Sequence, residues 1–251
     1  MLEISKVSLH FGGIRALDDL SLSVDQGGIC ALIGPNGAGK TSLFNVVSRV
    51  YSPSAGSVTY EGRDLLAEPR HRIMRLGIAR TFQNLALWPS MTVRENVMVG
   101  GHGHARGTIL TAALRLGTRS EEARLGAEAD AVLERVGIDR YADHDATDLP
   151  FGTLKRVELA RALMGSPRLL LLDEPAGGLT HAEVDSLADL IRDIAVERNL
   201  TVLLVEHHMG MIMRLSRQVV VLDRGTKIAD GTPDEVRRDA RVVAAYLGVP
   251  A

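Results

Sequence analysis

Residues 29–50 read ICALIGPNGAGKTSLFNVVSRV. The first five, Ile29 to Ile33, are an unbroken apolar run, the pattern of a strand buried on both faces of a parallel sheet. Gly34, Pro35, Asn36, Gly37, Ala38, Gly39, Lys40, Thr41 and Ser42 follow. Leu43, Phe44, Val46, Val47 and Val50 then recur at the spacing of one helix face. Strand, glycine loop and helix in this order are the setting of a phosphate-binding loop. Gly34, Gly37 and Gly39 let the backbone turn so that N–H groups point at phosphate oxygens, at a helix N-terminus that already favours anions. Lys40 is placed to reach the β- and γ-phosphates, and the Thr41 hydroxyl to ligate Mg²⁺. A glycine-rich turn with a stray lysine would not bring the flanking strand and helix with it. The stretch implies a nucleoside triphosphate ligand.

The rest of the composition narrows what such a chain does. At 251 residues it can bury a substantial core as one large domain or two small ones. Lys plus Arg number 29 against 31 Asp plus Glu, a formal charge of −2, and aromatics make up only 4%. That balance argues against a nucleic-acid partner, which calls for basic surface and bases stacked on aromatic rings. Cys30 is the only cysteine, so no intrachain disulfide is possible, and its place in an apolar strand suits a buried, inert thiol. Residues 1–13 lack the basic and apolar regions of a secretion signal. No apolar run approaches the ~20 residues of a membrane span. A soluble, cytosolic chain is expected.

Working outward, residues 2–9 alternate imperfectly, which suits an edge strand with a bulge. A short strand over 19–24 leads through Gln26-Gly27-Gly28 into the phosphate-loop strand. After the first helix, Ser52-Pro53-Ser54-Ala55-Gly56 breaks the chain, and 57–60 returns as a strand. Residues 63–80 hold five arginines and two acids, which reads as a solvated helix face rather than an anion site. From 100 to 148 the composition turns to glycine and histidine, then to Ala, Leu, Arg and Glu, with one helix ending near Gly137. His102 and His104 have no third ligand spaced to help them bind a metal. A helix over 149–164 places Leu154, Val157, Ala160 and Met164 on one face. Lys155 and Arg156 in its first turn oppose the helix dipole, and either a bound anion or solvent would relieve that conflict. Residues 169–172 and 201–205 are buried strands. Thr180 with Glu183, and Thr232 with Glu235, are capping boxes, the second opening a last helix that runs to about Gly248. Residues 219–222 and 226–229 form a hairpin about Arg224-Gly225.

Four apolar strands therefore end in functional groups: Lys40 and Thr41, Asp173 with Glu174, His207, and the loop around Gln83. In an open parallel sheet, ligands sit at the carboxyl ends of the strands, so one crevice can collect these groups. Asp173 suits a Mg²⁺ contact, Glu174 is placed to take a proton from attacking water, and His207 to donate to the γ-phosphate.

With these motifs in order along essentially its whole length, the chain resembles the ATP-binding cassette ATPases. The resemblance implies an α/β fold: a P-loop NTPase (RecA-like) core with a mainly parallel sheet, an antiparallel β subdomain and an inserted α-helical subdomain. It implies one cassette over 1–251, with a core of 1–83 and 165–231, a helical part of about 84–164 and a C-terminal helix. By it Phe11 stacks on adenine, GPNGAGKT at 34–41 is the Walker A loop, and Gln83 is the Q-loop glutamine, a catalytic group and a Mg²⁺ ligand with Thr41 and Asp173. LLLLDE at 169–174 is Walker B with catalytic Glu174, and His207 is the switch histidine. LPFGT at 149–153 takes the place of the LSGGQ signature, where Gly152 approaches a partner's ATP. The runs GIARTFQNLALWPSMTVRENV, LLLLDEPAGGLT, VLLVEHHM and IADGTPDEV look like the larger ATPase subunit of branched-chain amino acid importers.

That resemblance implies ATP and Mg²⁺ as cofactors, and a homodimer or a heterodimer with a paralogous ATPase subunit. It further implies separate membrane permeases, an extracytoplasmic solute-binding protein acting through them, and a peripheral place on the cytoplasmic face of the membrane. Trp88, five residues after Gln83, falls in the segment such proteins set against the permease, although packing under the helical insert is an equal expectation. Two places depart from the family. Pro150, Phe151 and Thr153 replace signature residues, which removes a serine contact to γ-phosphate, and Thr180 replaces an aspartate. An exporter cassette, such as that of lipopolysaccharide transport, and importers of urea or amides are the nearest alternatives. A repair or translation cassette would need a coiled-coil insertion or a second cassette. A non-hydrolysing sensor would not need Glu174 and His207.

Overall fold

A computed structural model describes residues 1–83, 85–104 and 118–247. Two sheets organise it. Strands β1 (Leu2–Phe11), β2 (Ile14–Val24), β4 (Ala55–Tyr60) and β5 (Arg63–Asp64) form an antiparallel sheet in the order β2-β1-β4-β5. The second sheet contains β3 (Ile29–Ile33), β6 (Ile78–Arg80), β7 (Leu169–Asp173), β8 (Thr201–Val205), β9 (Gln218–Asp223) and β10 (Thr226–Gly231). Its order is β10-β9-β3-β8-β7-β6, and only the β10–β9 edge pair is antiparallel. β3, β7 and β8 are buried along their whole length, as their unbroken apolar sequences require.

Alternation along these strands builds two cores. On one face Cys30, Leu32, Leu169, Leu171, Leu203 and Val205 pack with the antiparallel sheet and with helix α1 (Lys40–Val47). On the other, Leu170, Leu172, Val202 and Leu204 join a cluster that runs into the inserted helices. These are α2 (Val93–Val99), α3 (Thr118–Val136) and α4 (Phe151–Leu163), which meet through Val97, Leu133, Val157 and Leu163. Helix α5 (His181–Glu197) lays Val184, Leu187 and Ile191 on the same core. Helices α6 (Met209–Leu215), α7 (Pro233–Arg238) and α8 (Ala240–Leu247) complete the chain. Capping boxes open α5 at Thr180 and α7 at Thr232, as expected, and a further one opens α2 at Thr92. Burial pushes the Cys30 thiol well above its ordinary pKa, which leaves it inert.

Four expectations are corrected. The bulged strand β1 is not an edge, because β2 and β4 pair along its two sides. β2 begins at Ile14 rather than at residue 19, because Gly12 and Gly13 form a two-residue turn that lets Phe11 pair with Ile14. Bulges absorb the polar residues: Lys6 and Asp19 take positive φ, and their freed N–H groups donate to Ser21 Oγ and Ser8 Oγ. Residues 63–80 are not a solvated helix face. Pro69 and Gly77 (φ 82°) break the segment into β5, three single 3₁₀ turns and β6, and Arg80 ends inside the protein. The last helix is two helices, since Asp239 is extended and its carboxylate accepts from the Arg241 N–H.

Candidate functional site

The carboxyl ends of β3, β7 and β8 open at one edge of the parallel sheet, and the predicted groups gather there. At β3 the loop is shaped by close approach. A Cβ on Gly34 would lie 2.1 Å from Leu222 O, and one on Gly39 2.5 Å from Ala16 O, each with positive φ. Asn36 and Gly37 form the exposed tip, Pro35 is half-buried and Ala38 is buried. Gly39 is the N-cap of α1, so Lys40, Thr41 and Ser42 form its first turn. The Lys40 Nζ donates to Gly34 O at 2.7 Å and Pro35 O at 2.9 Å. Burial pulls its pKa below the usual lysine value, and the nearby Glu174 and Asp173 charges oppose that shift.

Around Glu174 three of the predicted residues meet. Glu174 Oε2 accepts from Gln83 Nε2 at 2.9 Å, and Oε1 lies 2.7 Å from His207 Nε2. Glu174 holds φ +50°, a conformation that costs a non-glycine residue about 1–3 kcal/mol. It is anchored by its own N–H to Val205 O at 2.8 Å, so the sheet itself turns the carboxylate out of line with β7. Asp173 is buried, and its pKa is raised by that burial, with Arg80 opposing. Arg80 Nη2 donates to Asp173 Oδ2 at 3.0 Å.

Two residues of this region had no role assigned from the sequence. Arg80 is one; its position among other arginines hid it. Glu206 is the other. It is buried, and its carboxylate accepts the N–H groups of Ala176 (2.8 Å), His207 (2.6 Å) and His208 (2.9 Å). One side chain thereby fixes both the loop after Glu174 and the turn carrying His207. An acid directly after a five-residue buried strand was the only signal available.

The donor set suits Mg²⁺. Among the described residues no three His, Cys, Asp or Glu converge as an all-protein cage. Thr41 is exposed in the first turn of α1, and Asp173 and Lys40 lie within electrostatic reach of each other. A hydroxyl and one carboxylate beside a phosphate cradle are the hard oxygen ligands of an ion that keeps several waters and shares phosphates.

Two predicted residues stand apart from this cluster. Phe11, at the end of β1, is half-exposed with its ring edge-on to Tyr51 at 5.1 Å. Gly152 lies in the first turn of α4, where a Cβ would meet Glu183 Oε1 at 2.5 Å; no described contact joins it to Lys40 or Glu174. Lys155 and Arg156, expected in the first turn, are the fifth and sixth residues of α4 and fall in its second turn, where they serve the protein itself. Buried Lys155 lies 5.6 Å from the Phe151 ring and beside Glu158, and Arg156 donates to Val136 O and Ser186 Oγ.

Behind Arg80 a cavity of about 450 Å³ separates the parallel sheet from the inserted helices. Val50, Met74, Phe82 and Trp88 line it, and all four are more than a third exposed. Trp88 is 43% exposed, so it is not packed under the insert. Its backbone is instead held by buried Asn96, which accepts from Trp88 N–H at 2.8 Å and donates to the carbonyls of Trp88, Met91 and Thr92.

Comparisons with known proteins agree with this geometry. Residues 17–177 match the family model described as ABC transporter, and 226–251 match one described as branched-chain amino acid ATP-binding cassette transporter. The chain is 39% identical to the high-affinity branched-chain amino acid transport ATP-binding protein BraF of Pseudomonas aeruginosa, over 99% of this chain and 98% of that protein. It is 36% identical to the corresponding protein LivG of Escherichia coli, with the same coverage. A nucleotide-free ATP-binding cassette from an ABC transporter superposes with a TM-score of 0.87 at 28% identity, covering 98% of both chains.

Proposed function

The chain belongs to the ATP-binding cassette ATPases of transporters, and from that premise we propose that it powers import of branched-chain amino acids through separate membrane permeases. The observation that carries the hydrolytic reading is the Glu174 carboxylate, bracketed by Gln83 and His207 one residue after Asp173. The match of 226–251 to the branched-chain type supports the solute class. No helix among the described residues is long and apolar enough to cross a membrane. In this reading, which rests on the transporter family, the chain is a peripheral subunit on the cytoplasmic face, fed by an extracytoplasmic solute-binding protein acting through the permeases.

In this reading ATP phosphates replace the Gly34 and Pro35 carbonyls as acceptors for Lys40, and the loop N–H groups and Ser42 complete the cradle. Phe11 stacks on the adenine. Thr41, Asp173 and Gln83 would hold Mg²⁺, which when bound would neutralise phosphate charge. Glu174 accepts the proton of the attacking water. Each of its oxygens has one partner here and keeps a lone pair for the water, and the γ-phosphate is a competing acceptor for His207. The apolar cavity beside Phe82 and Trp88 receives a permease helix; four exposed apolar residues around one hollow are what such a contact buries. Reconstitution tests the solute. Vesicles holding the chain with its permeases and binding protein are expected to take up labelled leucine with ATP, and excess isoleucine or valine to compete. Uptake blocked instead by urea or amides, or ATP-driven release, would replace the solute class.

Two such chains close head to tail, each signature facing the other's phosphate loop, and the natural partner is a paralogous cassette with a fuller signature. Pro150 is the N-cap of α4 and offers no side-chain acceptor or donor. Restoring Pro150→Ser with Thr153→Gln is expected to raise the ATPase rate of the isolated subunit. A serine cap contributes about 0.5–2 kcal/mol, and losing proline costs about 0.4–1 kcal/mol. Stability thus changes little, and the rate is the telling readout. Unchanged turnover, or a fully active homodimer of the natural chain, would count against the heterodimer.

A further inference from the structure

Arg80 makes more contacts than an ion pair needs. Besides Asp173, its guanidinium donates from Nη1 to Asn45 Oδ1 at 2.7 Å and Ser48 Oγ at 3.0 Å, both on or just after α1. It also lies 5.4 Å from the Phe44 ring centroid and 5.1 Å from that of Phe82. Its side chain is 8% exposed and that of Asp173 4%. At such burial the desolvation of both charges offsets much of their attraction, so a pair of apolar residues would stabilise the fold as well. Stability is therefore a poor account of this arginine, and its geometry gives a better one. It fixes one oxygen of Asp173 against the helix that carries Lys40 and Thr41. No described residue bonds the other oxygen, Oδ1.

We propose that Arg80 is the positioning residue of the metal site: it orients Asp173 so that Oδ1 faces the cation beside Thr41. Arg80 also forms part of the cavity wall, beside the Phe82 ring. The inference rests on Asp173 being the metal carboxylate.

The test follows Mg²⁺ through protein stability rather than turnover. The unfolding midpoint of the full chain is measured in ATP with EDTA, then with MgCl₂ titrated in. A ligand stabilises the state it binds in proportion to ln(1 + [L]/Kd), so the titration reports metal affinity. In Arg80→Met the shift given by ATP with EDTA should match the natural chain, while the Mg²⁺ needed for half the further rise should increase about 10–100-fold. Arg80→Lys, which keeps the charge and loses the fork, should fall between, and it carries the test if Arg80→Met does not fold. Asp173→Asn should raise the Mg²⁺ requirement at least as far. A purely structural Arg80 would lower every midpoint equally and leave the Mg²⁺ requirement where it was; with Asp173→Asn shifted, that outcome overturns the inference alone. If Asp173→Asn leaves the requirement unchanged, the reading of Asp173 falls and the inference with it.

Discussion

Glu174→Gln is expected to bind ATP as the natural chain does and to lose turnover by about 10²–10⁴, the contribution of a positioned general base. Glutamine fills the same space and keeps an acceptor for Gln83, so the left-handed backbone at 174 and its anchor to Val205 O survive. What disappears is the carboxylate able to hold the proton of the attacking water. Single-turnover hydrolysis separates this from slow product release, and filter binding checks affinity. With ATP bound and not consumed, the variant should accumulate as a closed dimer on size-exclusion chromatography. Hydrolysis within a few-fold of the natural chain would assign the base elsewhere. Loss of ATP binding would mean that the carboxylate shapes the phosphate site.

Trp88→Ala should leave nucleotide affinity and basal hydrolysis near those of the natural chain and abolish transport in reconstituted vesicles. The loop around it does not depend on the indole, because Asn96 holds the backbone of 88–92 through four hydrogen bonds. The losses within the chain are the partial burial of the indole and the contact of the Arg161 guanidinium, 5.5 Å from the ring centroid, the latter about 0.5–2 kcal/mol. An aromatic anchor at the centre of an interface is worth about 2 kcal/mol or more, roughly thirtyfold in affinity. Transport and permease co-purification should therefore fall together. Unfolding or lost ATP binding would assign Trp88 to the core, and unchanged transport would remove it from the docking surface.

The sequence alone determined those features whose cause lies within a few residues. The apolar runs of β3, β7 and β8 could be satisfied only by burial on both faces, and the glycine loop between β3 and α1 by a turn too tight for side chains. The boxes at Thr180 and Thr232 are local hydrogen bonds, so their helix starts were legible. The break between α7 and α8 is not legible in the sequence, because Asp239 interrupts a run that otherwise has helical spacing. Only the tertiary structure decided which distant groups meet. Gln83 and Glu174 are 91 positions apart, His207 and Glu174 33, and Arg80 and Asp173 93. Their convergence depends on the order of β6, β7, β8 and β3 in one sheet, which no local pattern encodes. The same holds for environment. An arginine among arginines looks solvated until a carboxylate, an amide and two rings close around it. For the one tryptophan the sequence leaves packing and exposure equally open, and the fold decides: Asn96 holds its loop from behind and leaves the ring at the rim of a cavity.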